Sequence, residues 1–277
     1  MTGSVRQFGA YSVVHLLDGV FEPSSDVLLH PGGPAARQAL IDQAGPTLRM
    51  DVNCFLLRGP DGIALVDAGT GDAWGPQLGH ARAALQQAGV APEQVARVLL
   101  THLHGDHALG LLQGADGASA WLPRAEILVP EADLHFFTDP AARAALPVAR
   151  HGAFDITAKL LRAYEGRIRP IPSGPIAAFP GIEAVPLPGH TPGHTGYLLH
   201  GTPHSLLLWA DLLHLFTAQA ADPDAGLSYD IDPTLAAQSR HATLARAAAE
   251  GWVVAGAHVP GFGVLEAAGA GYRVVPA

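Results

Sequence analysis

A layered α/β fold is what this sequence predicts, and three observations predict it. Apolar runs of strand length recur between turn signals, helical segments fall between those runs, and 277 residues are enough for one large domain with a sizeable core. Taken in order, Cys54-Phe55-Leu56-Leu57-Arg58 and Ile63-Ala64-Leu65-Val66-Asp67 flank Gly59-Pro60-Asp61-Gly62 and read as a hairpin. A helix is predicted over about residues 80–88, with Gly89 placed to stop it in the left-handed conformation. Val98-Leu99-Leu100 is a short buried strand, and residues 182–187 and 205–210 read as two more. Asp232 followed by Pro233 gives an N-cap and a first helical residue, opening an alanine-rich helix that ends before Gly251. Trp252-Val253-Val254-Ala255 reads as the last core strand.

Residues 130–169 differ from their surroundings. The stretch is helix-like, with Ile156, Leu160 and Tyr164 spaced to share one face, and it holds Phe136, Phe137 and Phe154. It reads either as an ordinary packing helix pair or as an inserted cap that walls a pocket. The whole chain, 1–277, is expected to be a single domain carrying this insertion.

Composition narrows the function. The chain is 48% hydrophobic and 15% charged, which excludes disorder, collagen-like repeats and a coiled coil. Its 25 acids outnumber 16 bases, of which only Lys159 is a lysine, so neither a nucleic acid nor an anionic membrane is an expected partner. Cys54 is the one cysteine and cannot form an internal disulfide. No apolar run of signal-peptide length follows Met1-Thr2-Gly3-Ser4-Val5-Arg6-Gln7, and residues 206–216 are too short to span a bilayer, so a soluble, cytoplasmic protein is expected. Histidine is the unusual entry in the composition, with 15 in a chain otherwise poor in charge.

The chemistry concentrates in Thr101-His102-Leu103-His104-Gly105-Asp106-His107. Four metal-capable side chains fall within six residues, directly after a predicted strand. Histidines two apart point the same way from extended chain, so His102 and His104 can grip one ion. Asp106 and His107 lie where the chain turns into a helix, displaced enough to serve a second. Three further residues each follow a core strand: His190 in Pro188-Gly189-His190-Thr191-Pro192-Gly193-His194-Thr195, Asp211 after an apolar run, and His258 before Pro260-Gly261-Phe262-Gly263. Loops at one edge of a sheet are where α/β folds assemble their sites.

These residues resemble the metallo-β-lactamase superfamily over about residues 53–258, and the resemblance implies a four-layer αβ/βα sandwich with metals at one sheet edge. It implies that His102, His104 and His190 hold one ion, that Asp106, His107 and His258 hold another, and that Asp211 bridges them. Asp67, in Asp67-Ala68-Gly69-Thr70-Gly71, matches the family's aspartate that orients a ligand histidine from behind. Within the superfamily the closer likeness is to methyl parathion hydrolases and lactonase-like enzymes, carried by the His190 stretch, by Trp209-Ala210-Asp211-Leu212-Leu213-His214 and by Ala255-Gly256-Ala257-His258-Val259-Pro260-Gly261-Phe262-Gly263.

The expected activity is hydrolysis of lactone, ester or phosphotriester bonds in small apolar substrates, with a hydroxide between two divalent ions as nucleophile and no covalent intermediate. Zinc is the expected metal, while manganese, cobalt and iron suit the same donors. Asp106 and Asp211 are expected to act catalytically. So is His214, three positions after Asp211, against the alternative of a supporting or solvent-facing histidine. His194 reads as a structural loop histidine and Cys54 as core. Trp74, Trp121, Phe136 and Phe137 are expected to wall the pocket. The partner expected is a small molecule, and a homodimer is an open assembly. Competing readings are a non-catalytic metal-binding protein, a β-lactamase, whose usual dinuclear site lacks the bridging aspartate, and a glyoxalase-II-like thioesterase. The last needs a cationic site, and after Asp211 the chain has only Arg240, Arg246 and Arg273.

Overall fold

Side chains alternate between two faces along a strand, and here both faces of the central strands are apolar, so each sheet must be covered twice. A computed structural model describes residues 5–114 and 116–277. Met1 to Ser4, part of the stretch that carries the targeting expectation, lie outside the described residues. One sheet runs, in spatial order, Arg6–Phe8, Tyr11–Phe21, Met50–Gly59, Gly62–Val66, Val95–Leu99, Glu126–Pro130 and Ile168–Ile171. Its first four strands are antiparallel neighbours, and the last four pair in parallel. The other sheet runs Gly174–Pro175, Ile182–Pro186, Thr195–Leu199, Leu206–Leu208, Val253–Ala255, Gly263–Ala268 and Gly271–Pro276, with a parallel pair at its centre.

Three cores follow from the alternation. Phe55 and Leu57 from the first sheet meet Tyr197, Leu199, Leu206 and Leu208 from the second, closing sheet against sheet. Cys54 and Leu56 point the other way, onto Ala81 and Leu85 of the helix Ala81–Gln87 and onto Phe154 and Leu160 of Gly152–Ala163. On the far side Leu207 and Val254 pack on Leu244 and Ala247 of the helix Pro233–Ala249. The result is four layers: helices, sheet, sheet, helices. Each fully buried Leu or Phe in these cores contributes about 1.5–3 kcal/mol.

The expected elements lie close to where the sequence puts them. The hairpin pairs Arg58 with Ile63 and Gly59 with Gly62, Gly89 has φ +76°, and the Asp232 side chain accepts from the Leu235 amide to cap the helix Pro233–Ala249. The second sheet, however, continues past Val253–Ala255 through Gly263–Ala268 and Gly271–Pro276, whose glycines and alanines give little strand signal. Tyr11–Phe21 also escapes a simple reading, because His15 and Asp18 interrupt its apolar pattern.

Residues 130–169 form the crossover between the parallel neighbours Glu126–Pro130 and Ile168–Ile171, through the helices Glu131–Thr138, Pro140–Ala145 and Gly152–Ala163. It is three helices rather than a pair. Phe137, Phe154, Leu160 and Tyr164 join the core over the first sheet, while Leu146, Ala149 and Ile156 face a cavity.

Candidate metal centre

Strand ends on the two sheets deliver the donors to one place. The strand Gly62–Val66 ends at Asp67, whose φ of +59° is a strained conformation for a residue with a side chain. The turn aims its carboxylate at the next loop. Asp67 accepts from the Thr101 amide (2.9 Å), the Thr101 hydroxyl (2.9 Å) and His107 Nδ1 (2.8 Å). Because a carboxylate only accepts, His107 Nδ1 carries the proton and Nε2 presents a lone pair to the site. Behind this loop, a Cβ on Gly110 would lie 1.8 Å from the Ala68 carbonyl oxygen, so only glycine lets the two loops close.

On the second sheet, His190 leaves the strand Ile182–Pro186 and donates from Nδ1 to Asp230 (2.9 Å). His258 follows Val253–Ala255 and donates from Nδ1 to the Asp51 carbonyl (2.8 Å). Ala210, with φ +50°, turns the chain after Leu206–Leu208 so that Asp211 enters the site. His194 spends both nitrogens on structure: Nδ1 donates to the Leu187 carbonyl and Nε2 accepts from the Asp211 amide. It therefore braces the loop, as its sequence context predicts.

The donor atoms fall into overlapping groups whose members lie within 4.8 Å of one another: His102, His104 and His190; Asp106, His107, Asp211 and His258; and His190, Asp211 and His214. Asp211 touches both of the first two groups, with Oδ1 3.1 Å from His107 Nε2 and Oδ2 3.2 Å from His190 Nε2. His214 Nε2 lies 3.3 Å from the same Oδ2, and its ring stacks on His258 at 4.8 Å.

These residues fit divalent cations. His102 Nε2, His107 Nε2, Asp211 Oδ1 and His214 Nδ1 are buried without a hydrogen-bond partner, and stranding such atoms is costly. Nitrogen and carboxylate oxygen donors in this mixture suit zinc and its neighbours. Burial pushes His102 far below the ordinary imidazole value and His104 down to about 3, helped by the neighbouring His107 and His190. At His190 and His258 burial acts in the same direction but is outweighed: Asp211, with Asp230 or Asp106, lifts them to about 9 and about 10. Burial likewise opposes the charge on Asp211, yet His107 and His258 hold it well below the usual carboxylate range.

His104, Asp106, His190, Asp211, His214 and His258 form the floor of a cavity of about 450 Å³, with His102 and His107 buried beneath; its wall is largely apolar, including Phe21, Met50, Trp74, Phe137, Leu146 and Ile156. Two expected wall residues stand elsewhere. Trp121 is buried in the core over the first sheet with the Arg82 guanidinium above its ring, and Phe136 packs behind Phe137 (5.0 Å) and Phe154 (5.7 Å). Loop and insertion position do not say which of two adjacent phenylalanines faces inward; the helical turn does. Among the described residues Arg150 is the one arginine or lysine on the cavity wall, donating to the Ser228 carbonyl (2.5 Å) and the Asp230 carbonyl (3.1 Å). A search for cations only after Asp211 misses it. Arg240, one of the three cations there, is buried under the site instead.

Sequence reasoning also misses three buried carboxylates. Asp18 takes the Thr70, Gly79 and Ala81 amides, a role signalled by a carboxylate inside an apolar strand. Asp133 takes the amides of Leu103 (2.9 Å) and Gly193 (2.8 Å), tying together the two loops that carry His102, His104 and His190. Burial raises it to about 6. Asp230 sits two residues before the N-cap and looks like ordinary loop sequence.

The metallo-beta-lactamase superfamily model matches residues 48–258, most of the chain, and the protein belongs to that superfamily. The fold is shared with solved structures along the full chain. It is similar to AbOPH, a hydrolase described in the beta lactamase superfamily, at 28% identity and TM-score 0.88, covering 100% of this chain and 97% of that one. It is also similar to AidC, a dizinc quorum-quenching lactonase in complex with its product, at 22% identity and TM-score 0.86 over 100% and 98% of the chains. A probable metal-dependent hydrolase from Staphylococcus aureus matches at 19% identity and TM-score 0.71, over 91% of each chain. No curated protein matches. Among the described residues no helix is long and apolar enough to cross a membrane.

Proposed function

We propose that the protein is a dinuclear metal-dependent hydrolase acting on lactone, ester or phosphotriester bonds of small apolar substrates. The observation that carries this reading is the convergence of seven histidine and aspartate donors, several of them otherwise unpartnered, at the floor of an apolar cavity that five of them line. In this reading His102, His104 and His190 hold one ion, Asp106, His107 and His258 the other, and Asp211 lies between. Two divalent ions, zinc by preference, supply an activated water nucleophile and polarise the scissile carbonyl or phosphoryl group when bound.

The chain's own residues do the rest. Asp67 and Asp230 fix the ring orientation of His107 and His190. His214, beside Asp211 and on the cavity wall, is positioned to hydrogen-bond the reacting group. The apolar wall excludes water and takes the substrate's hydrocarbon part. No serine or cysteine nucleophile is needed, and Cys54 is buried in the core with its thiol pushed up by burial.

Metal-analysed protein assayed on a lactone series, phosphotriesters, aryl esters and a β-lactam tests the reading. Activity is expected on at least one of the first three classes. Asp211→Ala, with its circular dichroism unchanged, should fall to the level of metal-stripped protein on all of them. Retained activity in that variant would refute the two-ion mechanism.

A further inference from the structure

Of the seven donors, two histidines are backed by a carboxylate, one in each main group. His107 has Asp67, and His190 has Asp230. The other three histidines have weaker partners: a backbone carbonyl for His258, the Thr101 hydroxyl, itself bonded to Asp67, for His102, and His190 Nε2, 2.9 Å from His104 Nδ1.

Asp230 differs from Asp67 in how it is held. Its Oδ1 receives His190 Nδ1 at 2.9 Å, and its Oδ2 receives Arg240 Nη1 at 3.4 Å. All three side chains are nearly fully buried: Arg240 is 2% exposed, Asp230 2% and His190 3%. A buried arginine with one carboxylate partner is costly unless that partner stays charged and in place. Arg240 is itself fixed, since Nε donates to the Pro223 carbonyl at 2.8 Å.

The helix carrying Arg240, Pro233–Ala249, and the two residues leading into it also grip the His190 loop directly. Ser239 donates to the Pro188 carbonyl (2.6 Å), the Asp232 amide donates to the Gly189 carbonyl (2.9 Å), and the Ile231 amide donates to the His190 carbonyl (3.0 Å). A Cβ on Gly189 would lie 2.1 Å from the Ala236 amide nitrogen, so helix and loop are in backbone contact. The loop that presents His190 therefore has little freedom to rearrange when its side-chain partner changes.

We propose that Asp230 and Arg240 are positioning residues for His190 and so set the affinity of the His102–His104–His190 site, whereas Asp67 acts directly on His107 and reaches His102 only through the Thr101 hydroxyl. This rests on the dinuclear reading above. A carboxylate behind a ligand histidine raises its basicity and locks its tautomer, and removing one costs about 10–100-fold in metal affinity.

The test is a zinc titration of the full-length metal-free protein against a competing chelating indicator, which reads affinity without any substrate. The wild-type protein is expected to take up two ions in two resolvable steps. Asp230→Asn, nearly isosteric, should weaken one step about 10–100-fold and leave the other unchanged, whereas Asp67→Asn should weaken the opposite step more strongly. Arg240→Met should reproduce the Asp230→Asn pattern in milder form, and Arg240→Lys, which keeps the cation, should restore most of it. Should Asp230→Asn fail to fold by circular dichroism, the Arg240 pair decides the matter alone.

The proposal is overturned if Asp230→Asn and Arg240→Met titrate as wild type. It is also overturned if they weaken both steps equally, the mark of a general structural role, or weaken chiefly the step that Asp67→Asn weakens most. A wild-type protein that takes up no zinc would instead bring down the dinuclear reading itself, a distinguishable failure.

Discussion

The donors on the first sheet and those on the second are built by different means. His102, His104, Asp106 and His107 come from one short stretch after Val95–Leu99, braced from the neighbouring strand end by Asp67. His190, Asp211 and His258 come from three separate loops, each braced by its own partner: Asp230 for His190, His194 for the Asp211 amide, and the Asp51 carbonyl for His258. One half is local and rigid by chain connectivity. The other is assembled only by folding, so it depends on whatever holds the two halves in register.

Asp133 is a principal link between them, and breaking it should have the largest effect. Its carboxylate takes the Leu103 amide from the first half and the Gly193 amide from the second. Asp133→Ala strands both donors in a buried site, at about 1–3 kcal/mol each. Gly193→Ala attacks the same joint sterically, because its Cβ would lie 2.1 Å from the Asp133 amide nitrogen. Thermal unfolding of the metal-free protein should show a large loss of stability in both variants, and zinc content after dialysis should drop. Asp133→Asn, which retains one acceptor oxygen, should fall between. Wild-type zinc content and stability in both Asp133→Ala and Gly193→Ala would mean that the halves are registered by other contacts.

Protonation separates the halves as well. In the metal-free chain His102 and His104 of the first half are held neutral, while His190 and His258 of the second are raised to about 9 and about 10. Each half has exceptions: His107 of the first is lifted against burial chiefly by Asp211, while burial lowers His194 and His214 beside the second. A raised histidine adds stability that is fully present below the unfolded value of about 6.5 and is lost as pH rises through the folded value. The lowered histidines, His102, His104, His194 and His214, work in the opposite sense, costing stability as pH falls below about 6.5. Metal-free protein should therefore be most stable near pH 6.5 and weaken toward pH 9–10, in melting curves across that range. Zinc needs the same nitrogens deprotonated, so its apparent affinity should climb over the window in which the metal-free fold weakens. A calorimetric heat of zinc binding that does not depend on the buffer's own ionisation heat would show that no protons are displaced, and would break this part of the contrast.

How much could be read from the chain follows the same divide. The stretch 101–107 is legible because its spacing alone brings four donors together, and the hairpin and the helix Pro233–Ala249 are legible because turn and cap residues mark their ends. Asp211 is legible as a carboxylate following an apolar run. Asp230, Asp133 and Arg150 are not, since each looks like ordinary polar surface until tertiary structure buries it or turns it to the cavity. Trp121 and Phe136 mislead for a related reason: an aromatic near a site is as useful to the core beneath as to the cavity above, and nothing in its local sequence separates the two.

The cavity wall repeats the contrast, and the smallest expected effects test it. Over the first half stand aromatic rings: Trp74, with its Cζ2 2.9 Å from where a Gly105 Cβ would be, and Phe137, 6.1 Å from His104. Over the second half stand polar groups, with Tyr229 beside His214 (6.1 Å) and Arg150 on the same loop's carbonyls. A substrate's apolar part should therefore lie over the first-sheet donors. Trp74 is 43% exposed, so Trp74→Ala should raise KM for apolar substrates about ten-fold while leaving stability nearly unchanged. Phe137→Ala should raise KM too and also cost about 3–5 kcal/mol, because the same ring is core. Trp121→Ala should show the reverse of Trp74→Ala, with a similar stability cost and an unchanged KM, and Phe136→Ala should leave KM unchanged. Steady-state kinetics beside chemical denaturation separates these patterns. If Trp74→Ala and Phe137→Ala leave KM untouched for every active substrate, the aromatic side is structural and the asymmetry ends at the histidine and aspartate cluster.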